Sequence, residues 1–283
     1  VLAAGLAWLG TESGLRFVVG KARDAASAGG SRLSIDGASG SLYTGVRIDR
    51  FSWSGGGIDA AGTGLVARWS LPMLLERRVR IPELSLATLA VRLPAAAAAP
   101  RTATPMPGSF ALPVTVDLQR FAIGDLQLTP GAQAGAPAPE TIAVRGVGGR
   151  LDYGQGRYRL ADLTATTPYG RIDGGRIEVG DAAPHPILAD LAAAGTVDRF
   201  AYALRLAATG DLARLSASAD GTVADATLRV DAVAEPLSAQ PLVSAQAAFG
   251  QVDLRRLLAT ENGTAAAPQT LIDGTLALTH EPV

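Results

Sequence analysis

The chain has no cysteine, two histidines and one lysine (Lys21), and aromatic residues make up only 5% of its 283 positions. Without cysteine there is no disulfide framework, no thiolate nucleophile and no cysteine-bound metal. One histidine falls in Pro184-His185-Pro186, which reads as a surface loop, and the other is His280. No spacing joins either to a nucleophile and a carboxylate, so no catalytic triad is assembled. No catalytic residue, metal site or cofactor is assigned, and an enzyme is not expected. The net charge is −1. A nucleic-acid binder needs a basic surplus or stripe to neutralise phosphates, so no nucleic-acid partner is expected.

Long apolar runs are also missing. Val1–Leu9 is apolar and uncharged, but as a helix it reaches only about 14 Å, short of a ~30 Å hydrocarbon core. Val1, Leu2, Leu6, Trp8 and Leu9 read as part of a truncated membrane anchor over residues 1–10, with Trp8 where an interfacial aromatic would sit. No later run approaches the ~18 residues needed to span, so the chain after Leu9 is expected on one side of the membrane.

What the chain has is alanine and glycine. Hydrophobic residues reach 48%, with 33 glycines and 17 prolines. Much of the apolar share is Ala, whose burial removes far less surface than Leu or Phe at about 25 cal/mol per Å². One thick core is disfavoured, and something thin, extended or groove-like is expected.

Thr11–Ala28 reads as a helix. Leu15, Val18, Val19, Ala22, Ala25 and Ala26 recur at helical spacing, Thr11 or Ser13 can cap it, and Gly29-Gly30 stops it. The period then changes to alternation in Leu33/Ile35, Val46/Ile48, Phe51/Trp53 and Leu65/Ala67/Trp69. Ser70-Leu71-Pro72 opens a short helix through Leu75, since Ser caps and Pro is tolerated in the first turn. Strands follow at Val79/Ile81, Leu84/Leu86 and Leu89/Val91/Leu93, with a bulge expected near Glu83 where the apolar positions shift from odd to even. Residues 95–113 are Ala/Pro-rich and read as a mobile loop, as does Gly131–Pro139. Between these loops Val114/Val116/Leu118, Phe121/Ile123 and Leu126/Leu128 alternate again.

From residue 140 a Gly-x-[Leu/Val/Ile] signature returns irregularly, as in Gly149-Arg150-Leu151, Gly195-Thr196-Val197, Gly221-Thr222-Val223 and Gly274-Thr275-Leu276. Each Gly is expected to supply a turn and the next apolar residue to start a strand. Asp253–Ala259 reads as a brief helix. Roughly 17 strands at about 4.8 Å each would span some 80 Å in one sheet, and a sheet that wide must curl into a trough. Phosphate loops are absent: Gly14…Gly20-Lys21 has the wrong spacing and is followed by Ala22. The carboxylates are scattered beside turns and arginines, and nothing selects a pair for glycoside hydrolysis.

Several segments, taken in order, resemble the N-terminal part of the TamB family, the translocation and assembly module subunit within the AsmA-like group. They are the apolar start, Thr11-Glu12-Ser13-Gly14-Leu15, and Asp36–Leu42 leading into Val46-Arg47-Ile48-Asp49 and Phe51-Ser52-Trp53. Ala67–Leu75, Val79–Leu84 and Val91-Arg92-Leu93-Pro94 follow, then Ala208–Ala213 and Val252–Arg255. Order and spacing carry the resemblance, most strongly over residues 11–94.

The resemblance implies a mainly β fold, a long curled antiparallel sheet forming a taco-like apolar groove, with an N-terminal helix and short capping helices. The expected organisation is an anchor (1–10), an N-terminal helix and β cap region (11–94), an Ala/Pro-rich loop (95–113) and a β-groove segment (114–283) continuing beyond the C-terminus. The implied protein is anchored by a single pass in the inner membrane with its bulk in the periplasm. It conducts phospholipid toward the outer membrane and supports outer-membrane protein assembly with the partner TamA. The lining positions then fall on the alternating apolar sets: Val79, Ile81, Leu84, Leu86, Leu89, Val91 and Leu93; Val114, Val116 and Leu118; Leu204 and Leu206; Leu228 and Val230. The alternatives are a closed core at those positions, a passive β scaffold or chaperone-like surface for outer-membrane proteins, and a β-helical enzyme on polysaccharide, which the aromatic shortage disfavours.

Overall fold

A computed structural model describes residues 11–70, 77–94, 103–131, 139–253 and 271–279. The fold is mainly β with one N-terminal helix. Helix α1 spans Glu12–Ala28. Thr11 caps it, accepting a hydrogen bond on its hydroxyl from the Gly14 amide, which satisfies one of the donors left open in the first turn. Leu15 is its buried anchor, and the Arg23 guanidinium donates to Ile35 O.

Among the described residues fourteen strands follow in chain order in the sheet, and the first and last are not neighbours, so the sheet is open. They are β1 (Arg32–Ser41), β2 (Gly45–Gly55), β3 (Ile58–Ser70), β4 (Arg78–Arg92), β5 (Thr115–Thr129), β6 (Ile142–Gly154), β7 (Arg157–Thr167), β8 (Gly170–Gly180), β9 (Ile187–Val197), β10 (Phe200–Gly210), β11 (Leu215–Val223), β12 (Ala226–Ala234), β13 (Leu242–Asp253) and β14 (Leu271–Thr279). The count is lower than the roughly 17 expected at ~4.8 Å spacing, because alternating sets that read as separate strands are continuous. Residues 79–91 lie in β4 and 116–128 in β5. The short helix expected at 71–75 falls outside the described residues, as do the helix expected at Asp253–Ala259, except Asp253, which ends β13, and the loop expected at Gly131–Pro139, except its two end residues.

The chain divides into two compact units. Unit 1 comprises Val1–Ala99 and Leu112–Pro168, and unit 2 comprises Pro100–Ala111 and Tyr169–Val283. Unit 1 corrects the antiparallel expectation at one place: β4 and β5 run parallel, from Arg78 opposite Thr115 to Arg92 opposite Thr129. A parallel pair needs a long crossover in place of a tight hairpin, and residues 93–114 supply it.

Unit 1 also carries a line of matched bulges. Gly37, Asp49, Gly64, Ala87, Gly124 and Gly146 stand outside the pairing ladder at one level of β1 to β6. Each inserts a residue, which would turn the rest of its strand over. Because every strand does so at the same level, the register is kept and the apolar positions continue on one face. Gly37, Gly64 and Gly146 have φ of 66°, 66° and 59°, a region that favours glycine. A second irregularity in β4 lies at Pro82-Glu83, the place marked by the odd-to-even shift. Pro82 has no N–H to give to the ladder.

In unit 2 the segment 103–111 is not a free loop. The Thr104 amide donates to Leu237 O (2.8 Å) and the Phe110 amide to Asp181 O (3.0 Å), so the segment is tied to the β12–β13 turn and to the β8–β9 turn. His185 is the pin. It is fully buried, against the surface position expected from its Pro-His-Pro setting. Its Nδ1 lies 3.0 Å from Gly180 O and its Nε2 3.1 Å from Pro107 O, and its ring stacks on Phe110 with centroids 4.4 Å apart. Flanking prolines mark a loop, but loop residues bury where a second segment covers them.

The Gly-x-[Leu/Val/Ile] signature is also corrected. Gly149, Gly195, Gly221 and Gly274 lie inside β6, β9, β11 and β14. Tight turns are made elsewhere, by Gly56-Gly57, Gln155-Gly156 and Ala224-Asp225, each pair with positive φ at both residues.

Candidate functional site

Alternation puts the large aliphatic side chains of each unit on one face of its strands. In unit 1 the parallel pair sets Val79 opposite Val116, Ile81 opposite Leu118, Leu84 opposite Phe121, Leu86 opposite Ile123, Leu89 opposite Leu126 and Val91 opposite Leu128. The row extends through Gly62 and Ala60 of β3 to Phe51 and Trp53 of β2, and onward to Ile35 and Leu33 of β1. On the other side it continues through Leu151, Val147 and Val144 of β6. In unit 2 Leu204 faces Gly221 and then Leu228, while Leu206 faces Ala219 and then Val230. Phe249 stands beside Leu228, and Ala247 beside Val230.

The sequence-assigned positions of unit 1 thus share a face with one another, as do those of unit 2. Leu93 and Val114 are displaced: they lie just outside β4 and β5, and Leu93 is 43% exposed. Val1, Leu2, Leu6, Trp8 and Leu9 fall outside the described residues. The same alternation also brings in Phe51, Phe121, Leu126 and Leu128, which were read as strand residues but not assigned to the face, together with Tyr202 and Phe249.

These faces are not sealed by a second layer among the described residues. Val46, Leu86, Leu118 and Tyr153 are the buried apolar side chains on the strands of unit 1, and unit 2 has none. In β10 and β12 the apolar positions are half-buried and their neighbours exposed. At β14, Leu276 and Leu278 are 70% and 55% exposed. Half-burial of a row of Leu, Ile and Val leaves apolar surface in contact with solvent, and patches of that kind mark binding surfaces.

The opposite face is a lattice of charges. Arg68 pairs with Glu83, Arg80 with Asp117 and Arg145 with Asp125, each at 3.5 Å. In unit 2 Arg205 makes a two-pronged bridge to Asp190, and Arg229 reaches both Asp220 and Asp231. The hydrogen bond from Arg205 holds the Asp190 carboxyl below its ordinary range, with the charges of Arg205 and Arg176 adding to it. A shallow depression of about 910 Å³ lies on this side, lined by Arg176, Asp190, Arg205, Asp220 and Asp231 among others. Exposed cross-strand pairs of this kind contribute little stability. They keep one face wet and leave the other to apolar contact.

No group of three or more His, Asp or Glu side chains is placed to hold a metal among the described residues. Nor is any helix there long and apolar enough to cross a membrane.

The fold and its faces define an open, sequentially ordered β-sheet protein whose apolar positions stay half-exposed among the described residues. Residues 1–134 match the family model described as TamB, N-terminal domain, which supports assigning the chain to the TamB family. No curated protein and no solved structure matches the chain.

Proposed function

We propose that the chain is the N-terminal segment of an inner-membrane-anchored periplasmic bridge that conducts phospholipid toward the outer membrane and supports outer-membrane protein assembly. The partner TamA would be engaged through parts beyond this segment. The observation that carries the reading is the two-sidedness of each unit: a continuous row of half-buried aliphatic side chains faces one way and paired charges face the other. Acyl chains require an apolar lining and no directional partners, because their transfer from water is driven by area alone, at about 25 cal/mol per Å². Such conduction needs no catalytic residue or cofactor. The family match supports a transport role in general.

The test is photocrosslinking in the cell envelope. Photoreactive residues at Leu89, Val91, Leu204 and Leu228 are expected to capture phospholipid, while those at Arg92 and Arg229 are not. Capture only from the arginine positions, or equally from both sets, would overturn the reading. The passive-scaffold alternative predicts peptide and no lipid at all six.

A further inference from the structure

Three of the four strand phenylalanines have a glycine directly opposite on the next strand: Phe51 faces Gly62, Phe121 faces Gly149 and Phe249 faces Gly274, while Phe200, the first residue of β10, faces Val197. Tyr202 and Gly195 form a fourth pair. Glycine in a strand interior weakens the strand relative to alanine, so its recurrence needs a reason. Backbone conformation is not that reason, since none of these four glycines has a positive φ.

The rings supply it at Gly62 and Gly274, and at Gly149 and Gly195 they act together with a close backbone. A Cβ at Gly62 would lie 2.5 Å from Phe51 Cε1, and a Cβ at Gly149 would lie 3.0 Å from Phe121 Cε1 and Cζ. At Gly274 it would run into Phe249 Cζ, and at Gly195 it would meet the backbone at Gly170 Cα (2.5 Å) before Tyr202 Cε1 (3.0 Å). The ring atoms met are those farthest from each ring's own backbone. Each ring therefore leans across the sheet onto the neighbouring strand, whereas strand side chains ordinarily stand roughly perpendicular to it. Two pairs lie in each unit, all on the apolar face.

We propose that these glycine–aromatic pairs set the clearance above the apolar face, keeping the largest side chains flat so that an unbranched acyl chain can pass over them. The pairs act as a gauge: a methyl group at the glycine lifts the ring into the path. This inference rests on the lipid-conduction reading, and its test separates the two.

The chain has no cysteine, so a single thiol at Ala247, one step along the same face from Phe249, reports clearance without lipid. Labelling by a small methanethiosulfonate and by a bulky maleimide is compared in the full chain. Gly274→Ala is expected to slow the bulky reagent several-fold and leave the small one unchanged, and adding Phe249→Ala restores the rate. Gly62→Ala with Phe51→Ala repeats the test in unit 1, with a thiol at Ile35, should the first variant fail to fold. Unchanged size selectivity, or no restoration on removing the ring, overturns the gauge. Phospholipid capture at Leu276 is measured in parallel and is expected to fall with Gly274→Ala and return with the double variant. If size selectivity shifts as expected but even the unsubstituted face captures no lipid, the gauge's geometry stands. Its acyl-chain role then falls together with the lipid reading.

Discussion

Replacing Gly64 with alanine probes the line of bulges across β1 to β6. Gly64 has φ +66°, and a Cβ there would lie 2.9 Å from the Ala87 methyl group on β4. Gly146 belongs to the same line, with φ +59°, but a Cβ there would meet nothing within 4 Å. Gly146→Ala thus isolates the backbone term, about 1–2 kcal/mol for a non-glycine residue in the left-handed region. Gly64→Ala adds overpacking between two strands, typically about 1–3 kcal/mol. Both gain roughly 0.4–1 kcal/mol from the stiffer unfolded chain, which lowers the two losses alike. The difference between the variants is therefore expected at about 1–3 kcal/mol, against Gly64→Ala. Urea denaturation followed by circular dichroism measures it, with the midpoint falling further for Gly64→Ala at an unchanged slope. Equal losses would show that the bulges are not packed against one another. A neutral Gly64→Ala would show that neither the left-handed backbone nor the approach to Ala87 is costly there.

Two further outcomes follow from unit 2. His185→Ala removes the imidazole N–H shared by the Gly180 and Pro107 carbonyls, at about 1–3 kcal/mol for a buried hydrogen bond left unmade, and removes the face on which Phe110 stacks. Hydrogen exchange at the Phe110 amide is then expected to accelerate strongly, and unchanged protection would mean that the segment 103–111 is held by something else. Arg205→Ala removes the hydrogen bond that depresses the Asp190 carboxyl, so its titration midpoint, followed by NMR, is expected to rise. A depressed carboxylate contributes stability above its unfolded value and loses it as pH falls through the folded one. At this solvent-exposed site the shift is expected without a measurable change in thermal stability.

Much of the fold was legible because its signals are local. Thr11 caps α1 and Gly29 ends it, as the residues next to the helical period indicate. Alternation gave the strands and the apolar positions of β4, β5, β10 and β12, because side chains of successive strand residues point to opposite faces whatever the partner strand. The odd-to-even shift at Glu83 was visible for the same reason. By contrast, the second shift, at Ala87, is a step between Leu86 and Leu89 that reads as a break between strands until Gly124 is found beside it on β5.

The sequence by itself determined a two-faced, mainly β chain with a capped helix and with its larger aliphatic residues at alternating strand positions. Only the tertiary structure decided which way β5 runs, since a long connection permits either direction. It alone decided that residues 103–111 fold back under His185, since that depends on carbonyls distant in sequence. It also moved Gly149, Gly195, Gly221 and Gly274 from turns into strand interiors. A glycine's local signal is the same whether it frees a backbone or makes room, and only its neighbours on the adjacent strands distinguish the two.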